Sequence, residues 1–172
     1  SADTCCRHRR SAPRWPTVCH RRPPCTSAER AARLGRRFLG NDLNPEAVAH
    51  ALRKDPGIKA VYVQASETST GVAHDVKALA QILKGHNDTI LVVDAITALG
   101  VFDIKTDDWG IDVLVTGSQK ALMLPPGLAF VSVSDKAWQL ADKAKNAAFY
   151  FNFKKERENQ QKNQTSYTLA VS

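Results

Sequence analysis

Cysteine is absent beyond residue 40, because all four cysteines lie at positions 5, 6, 19 and 25. Lysine shows the opposite pattern and is missing from the first 40 residues. No apolar run reaches the roughly 18 residues of a membrane span, and no charged segment followed by an apolar one has the form of a signal peptide. These absences argue against a membrane protein and a secreted disulfide scaffold. They predict a cytoplasmic protein beyond residue 40.

The net charge of +7 belongs to one end of the chain. Residues 1–40 contain ten arginines and two acidic residues, whereas residues 41–172 contain 14 basic and 15 acidic residues. Four of the eight prolines also lie in the first segment. The break in composition divides the chain into an Arg-, Pro- and Cys-rich segment, 1–40, and a domain that begins at residue 41.

Residues 1–40 show neither a helical nor a strand period, and their prolines interrupt regular structure. We interpret this segment as disordered or non-native, with a short helix as an option near residues 27–38. Its Cys and His residues lack paired zinc-ligand spacing, and we expect no metal site. A disulfide framework, a nucleic-acid-binding arm and a transit peptide are weaker alternatives, and an out-of-frame or misjoined stretch is a further hypothesis.

From residue 41 onwards, helical patterns alternate with apolar runs. Asn44 and Pro45 have the properties of a helix start, and Asp55-Pro56-Gly57 those of a helix end. Asp75 and Ser134 begin further helices. Four apolar runs predict strands at 58–64, 89–94, 111–117 and 127–134. The alternation predicts an α/β fold in which helices cover both faces of a mostly parallel sheet.

Polar residues follow three of the predicted strands. The loop Ser66 to Gly71 follows the first, Asp94 ends the second, and the stretch Ser118 to Lys120 follows the third. The carboxyl ends of parallel strands meet at one edge, where ligands bind in such sheets. A desolvated lysine can attack a carbonyl, and an aspartate can hold a proton on a heterocyclic nitrogen, as pyridoxal phosphate requires. Taken singly, each residue is also explained by a loop cap or a solvated side chain.

Three segments together resemble one enzyme family: ETSTGV at 67–72, VDAITALG at 93–100 and WGIDVLVTGSQKALMLPPGLAFVSVS at 109–134. They are similar to the class V pyridoxal-phosphate-dependent aminotransferases, closest to the alanine-glyoxylate and serine-glyoxylate (serine-pyruvate) branch. The resemblance covers residues 41–172. It implies the large domain of the aspartate-aminotransferase-like, fold type I enzymes, truncated at both ends.

The resemblance also implies roles for individual residues. Lys120 would form the Schiff base with the cofactor and move a proton at the substrate α-carbon. Asp94 would pair with the pyridinium nitrogen, and Gln119 would contact the phosphate. Related cysteine desulfurases carry His where this chain has Gln119, which favours transamination over sulfur chemistry.

Three further residues complete the implied cofactor site. The Thr68 hydroxyl would reach the polar edge of the ring, and Ile96 would pack against one ring face, although a plain core position explains Ile96 equally well. Thr168 would contact the phosphate in the partner subunit's site, which implies a homodimer.

The implied reaction transfers an amino group from a small amino acid, of the alanine or serine type, to a 2-oxo acid such as glyoxylate. Family members have an upstream glycine-rich phosphate loop and a C-terminal domain that residues 1–172 do not match. We therefore expect this chain alone to be weakly active or inactive. The alternative is a non-catalytic remnant of the fold that acts as a binding module, with a basic N-terminal arm. Nucleic acid is not favoured as a partner.

Overall fold

A computed structural model describes residues 42–144 and 152–164 of the chain. No helix within these two ranges is both long enough and apolar enough to cross a bilayer. In chain order the elements are α1 (Pro45–Lys54), β1 (Ala60–Gln64), β2 (Ser66–Glu67), β3 (Val72–Ala73), α2 (Val76–Leu83), β4 (Ile90–Asp94), α3 (Thr106–Trp109), β5 (Val113–Gly117), β6 (Ala129–Val133), α4 (Asp135–Lys143) and α5 (Phe153–Gln161).

The longer helices begin at the polar residues that the sequence indicates. The Asn44 side chain accepts a hydrogen bond from the backbone N–H of Glu46, and Pro45 occupies the first turn of α1. Asp75 caps α2 and Ser134 caps α4 in the same way. These side chains satisfy backbone donors that a helix start leaves without partners. The predicted starts of all three helices are therefore confirmed.

The main sheet has four strands in the order β1-β4-β5-β6. The first three are parallel, with Val63 opposite Val93 and Val93 opposite Leu114, while β6 runs antiparallel to β5. The short strands β2 and β3 form a separate antiparallel hairpin. The prediction of a mostly parallel sheet is confirmed.

The core lies between one face of this sheet and the helices α1 and α2. Val63, Leu91, Val93 and Leu114 point from the sheet into a single buried cluster. The helices contribute Val48, Leu52, Val76, Leu79, Ala80 and Leu83 to the same cluster. On the opposite face Tyr62 is 71% exposed, so the described elements bury the two faces unequally. The buried face gives β1, β4 and β5 a defined orientation.

A buried carboxylate lies at the amino-terminal edge of the sheet. Asp112, which is 4% exposed, precedes β5 and accepts hydrogen bonds from the Leu91 N–H at 2.9 Å and the Ser134 hydroxyl at 3.0 Å. The Lys136 ammonium lies 3.1 Å from the same carboxylate and donates to the Thr89 carbonyl oxygen. The carboxylate thus connects β4, β5 and the start of α4. A buried charge of this kind is tolerated because it is paired and hydrogen-bonded.

We expect Asp112→Ala to lower the free energy of unfolding by about 3 kcal/mol, because the substitution leaves a buried amide and a hydroxyl without their acceptor and the Lys136 ammonium without its opposite charge. Asp88→Ala, at an exposed position, should change it by less than about 0.5 kcal/mol. Urea denaturation followed by circular dichroism measures both values. Equal effects of the two substitutions would show that the carboxylate does not stabilise the sheet.

Candidate functional site

Three loops leave the same edge of the sheet, because β1, β4 and β5 are parallel neighbours. Gln64, which ends β1, lies opposite Asp94, and Asp94 lies opposite Val115 near the end of β5. The loops that follow are 65–71, 95–100 and 118–128. The expectation that the polar carboxyl ends of these strands meet at one edge agrees with the parallel pairing of β1, β4 and β5.

Asp94 ends the central strand of the three. Its side chain is exposed, and Oδ1 accepts a hydrogen bond from the Ile96 N–H at 3.0 Å. Its carbonyl oxygen accepts from the Ala65 N–H at 2.8 Å. The carboxylate is thereby anchored to the turn that follows β4. Ile96 lies in that turn and is half-buried.

The loop that follows β4 contacts both neighbouring loops. The Thr97 hydroxyl donates to the Ser66 carbonyl oxygen at 3.1 Å, which joins it to the loop after β1. Gly100 has φ +84°, and a Cβ atom at this position would lie 3.2 Å from the Cβ of Ala121. This close approach joins the loop after β4 to the loop that carries Lys120. A glycine suits both the positive φ and the tight contact.

Lys120 lies at the start of the 118–128 loop, which connects β5 to β6. Its side chain and that of Gln119 are exposed, and its carbonyl oxygen accepts from the Met123 N–H at 2.9 Å. The Gln119 side-chain amide folds back over Gly117, where a Cβ atom would lie 2.7 Å from Oε1. Within the described ranges, neither Asp94 nor Lys120 forms an ion pair.

Thr68 lies at the tip of the β2–β3 hairpin and is exposed. The hairpin follows β1, whereas the Lys120 loop follows β5, and β4 with Asp94 lies between these two strands. The neighbouring Glu67 carboxylate accepts hydrogen bonds from the Ser69 N–H at 3.0 Å and the Ser69 hydroxyl at 2.9 Å. These bonds stabilise the charged form and hold the pKa of the Glu67 carboxyl below its ordinary value. The hairpin tip is therefore ordered by its own side chains.

The structure places most of the predicted site residues at one edge of the sheet. Asp94, Ile96, Gln119 and Lys120 lie on two loops that contact each other, and Thr68 lies on the third. Thr168 lies outside the described residues, as do residues 1–41. The described ranges contain no group of three or more His, Cys, Asp or Glu side chains that could hold a metal ion.

The sequence places two polar residues at this edge, Thr97 and Ser118, without indicating a role for either. Thr97 joins two loops, and Ser118, which directly follows β5, is completely buried and hydrogen-bonded within the Lys120 loop. The only signal for Ser118 was its position between an apolar run and a lysine. Three consecutive polar residues, Ser118, Gln119 and Lys120, are also typical of an exposed turn, so the sequence did not indicate that Ser118 is buried.

A family model, curated relatives and solved structures were compared with the chain, and aminotransferases occur in all three comparisons. The model of the aminotransferase class V family matches residues 40–169. A protein named soluble hydrogenase, small subunit, from Synechococcus is 45% identical over 136 residues, which are 77% of this chain and 35% of that protein. The serine-glyoxylate aminotransferase of Arabidopsis thaliana is 36% identical over 117 residues, 66% of this chain and 29% of the relative.

A solved structure gives the same picture at the level of the fold. The aspartate aminotransferase of subgroup IV from Thermus thermophilus matches with a TM-score of 0.65 and 33% identity, covering 77% of this chain and 36% of that chain. The chain spans about a third of the length of the two curated relatives named above. Because the family model matches most of the sequence and the described fold agrees with a solved aminotransferase, the chain belongs to the aminotransferase class V family.

Proposed function

We propose that this chain provides the lysine-bearing edge of a pyridoxal-phosphate-dependent transaminase. The observation that carries the proposal is the contact of the Asp94 turn with the Lys120 loop, through Gly100 and Ala121, at the carboxyl edge of a parallel sheet. Class V aminotransferases use pyridoxal phosphate, and family membership therefore indicates the cofactor. The geometry brings the loops of an acid and an amine together without an ion pair between the two side chains.

The donors and acceptors at this edge fit the cofactor. Pyridoxal phosphate has an aldehyde, a ring nitrogen and a phosphate, and Lys120, Asp94 and Gln119 offer an amine, a carboxylate and an amide. Within the described part of the chain, the Asp94 carboxylate accepts a hydrogen bond through Oδ1 and none through Oδ2. The carboxylate can therefore stay anchored to its turn while Oδ2 accepts a further proton donor.

When bound, pyridoxal phosphate supplies an aldehyde that condenses with amines and a protonated ring that withdraws electrons from the substrate. In our proposal Asp94 keeps the proton on the ring nitrogen, because a neighbouring carboxylate favours the charged form. The Lys120 amine would hold the aldehyde at rest. After the amino group of the donor has displaced it, the free amine would act as the base and remove a proton from the substrate α-carbon. Gln119 donates to the phosphate.

The remaining predicted residues complete the proposal. The Thr68 hydroxyl, at the hairpin tip, contacts the polar edge of the ring. Ile96 follows Asp94 closely enough to place an apolar side chain beside the ring. Thr168 contacts the phosphate of a second subunit, and the homodimer is part of the same proposal.

We propose a small amino acid of the alanine or serine type as amino donor and a 2-oxo acid such as glyoxylate as acceptor. The names of the Arabidopsis relative and of an L-aspartate-glyoxylate aminotransferase from Paracoccus denitrificans support glyoxylate. Gln119, in place of the His of cysteine desulfurases, supports amino transfer. We expect the chain by itself to turn over slowly or not at all. The cytoplasmic location stays a prediction from the sequence.

The first test concerns Lys120. After incubation of the chain with pyridoxal phosphate and reduction with borohydride, peptide mass spectrometry should find the pyridoxyl label at Lys120. Lys120→Ala should lose this label, because no other lysine follows β5 at the same edge in the described residues. Lys59→Ala, at an exposed position beside the amino end of β1, is the matched control and should keep it. A label spread over several lysines and unchanged by Lys120→Ala would contradict the assignment.

The second test concerns the charge of Asp94. Asp94→Asn should raise the dissociation constant for pyridoxal phosphate by about tenfold or more, since a charged hydrogen bond contributes about 1.5–3 kcal/mol. Asp88→Asn removes the same charge at an exposed position outside the loops of the site and should leave the constant within about twofold. Fluorescence titration measures both variants. Unchanged binding by Asp94→Asn would remove the carboxylate from the proposal.

A further inference from the structure

The loop that carries Lys120 lies outside the strand pairing of β5 and β6, so other contacts must hold its conformation. The paired part of β5 and β6 ends at Gly117 and Ala129, and residues 118–128 form no ladder between these positions. A loop of this length without regular structure adopts one conformation only where internal contacts specify it. Those contacts determine where the backbone of Lys120 lies.

Ser118 makes most of these contacts. Its N–H donates to the Leu128 carbonyl oxygen at 3.1 Å, and its own carbonyl oxygen accepts from the Leu124 N–H at 3.1 Å. Its hydroxyl donates to the Pro125 carbonyl oxygen at 2.7 Å, and the Leu128 N–H points at the same hydroxyl at 3.4 Å. Ser118 is completely buried, so water does not replace these bonds. One residue therefore joins both ends and the far part of the loop.

The hydroxyl has a function that the backbone cannot take over. Pro125 and Pro126 have no N–H groups, so this part of the loop cannot be anchored by donating backbone hydrogen bonds. The Pro125 carbonyl oxygen is held by the Ser118 hydroxyl instead. Without this hydroxyl, Ser118 would be joined to the loop only by two backbone hydrogen bonds, one with Leu124 and one with Leu128.

We propose that Ser118 is a positioning residue for Lys120. It acts through the 118–128 loop and does not touch the substrate: the buried hydroxyl closes the loop, and the closed loop keeps the lysine at the edge where the Asp94 turn lies. This inference rests on the proposed function of Lys120. It predicts that removing the hydroxyl affects cofactor attachment more than its effect on overall stability explains.

The test compares Ser118→Ala with Thr89→Val. The Thr89 hydroxyl is also buried and also donates to a carbonyl oxygen at 2.7 Å, that of Ile58, but at the opposite edge of the sheet. Both substitutions should lower the melting temperature by a similar amount. Only Ser118→Ala should accelerate amide hydrogen exchange in peptides covering 118–128, by about tenfold for the loss of a hydrogen bond of 1–1.5 kcal/mol.

The second measurement is the concentration of pyridoxal phosphate that gives half-maximal borohydride-trapped label at Lys120. It should rise about fivefold or more in Ser118→Ala and stay within about twofold in Thr89→Val. Ser118→Cys, which keeps a weak donor of similar size, should give intermediate values, and it decides the question if Ser118→Ala does not fold. The proposal is overturned if loop exchange and label are unchanged in the folded Ser118 variant, or change equally in Thr89→Val.

Failure of this inference is distinguishable from failure of the proposed function. Hydrogen exchange is measured without cofactor and reports on the loop alone. Absence of label at Lys120 in the unaltered chain would refute the proposed function. Normal label in the unaltered chain, together with unaltered loop exchange in the Ser118 variants, would refute only the positioning role.

Discussion

The parallel pairing of β4 with a strand on each side is the constraint on which the rest of the structure depends. β1 and β5 run in the same direction as β4, so all three loops with polar residues leave the sheet at one edge. Helices α1 and α2 maintain this arrangement, because they bury the face that carries Leu91 and Val93. The proximity of the loops carrying Asp94 and Lys120 is a consequence of strand direction, since they follow different strands and are far apart in sequence.

A carboxylate is buried and paired at one end of the sheet, whereas charged side chains are exposed at the other. At the amino-terminal edge Asp112 is buried, paired with Lys136 and supplied with two further donors, and it therefore contributes to stability. At the carboxyl-terminal edge Asp94 and Lys120 are exposed and form no ion pair within the described residues. A satisfied ion pair would occupy the groups that a ligand needs. Stability and proposed function are therefore located at opposite ends of the same strands.

The sequence predicted the local features of the fold and missed those that depend on distant partners. The caps at Asn44 and Ser134 and the four main strands follow from residue type and spacing, to within about two residues at most ends, as local patterns allow. The reversed direction of β6 and the pairing of Asp112 depend on contacts between remote segments. The burial of Ser118 was not predicted for the same reason, because the loop that folds back over this residue creates it. The edge location of Asp94 and Lys120 was predictable, since it requires only parallel strands.

The register of β4 also explains why the candidate site and the core are specified together. Val93 and Ala95 are fully buried on one side of the strand, and Asp94 between them is exposed. Because successive side chains point to opposite faces, a slip of one residue would turn Asp94 into the core and Val93 out of it. An unpaired carboxylate in that apolar cluster would cost several kcal/mol, and burial of Val93 would be lost as well. The apolar pattern that builds the core therefore also selects the one register in which the Asp94 carboxylate is available to a ligand.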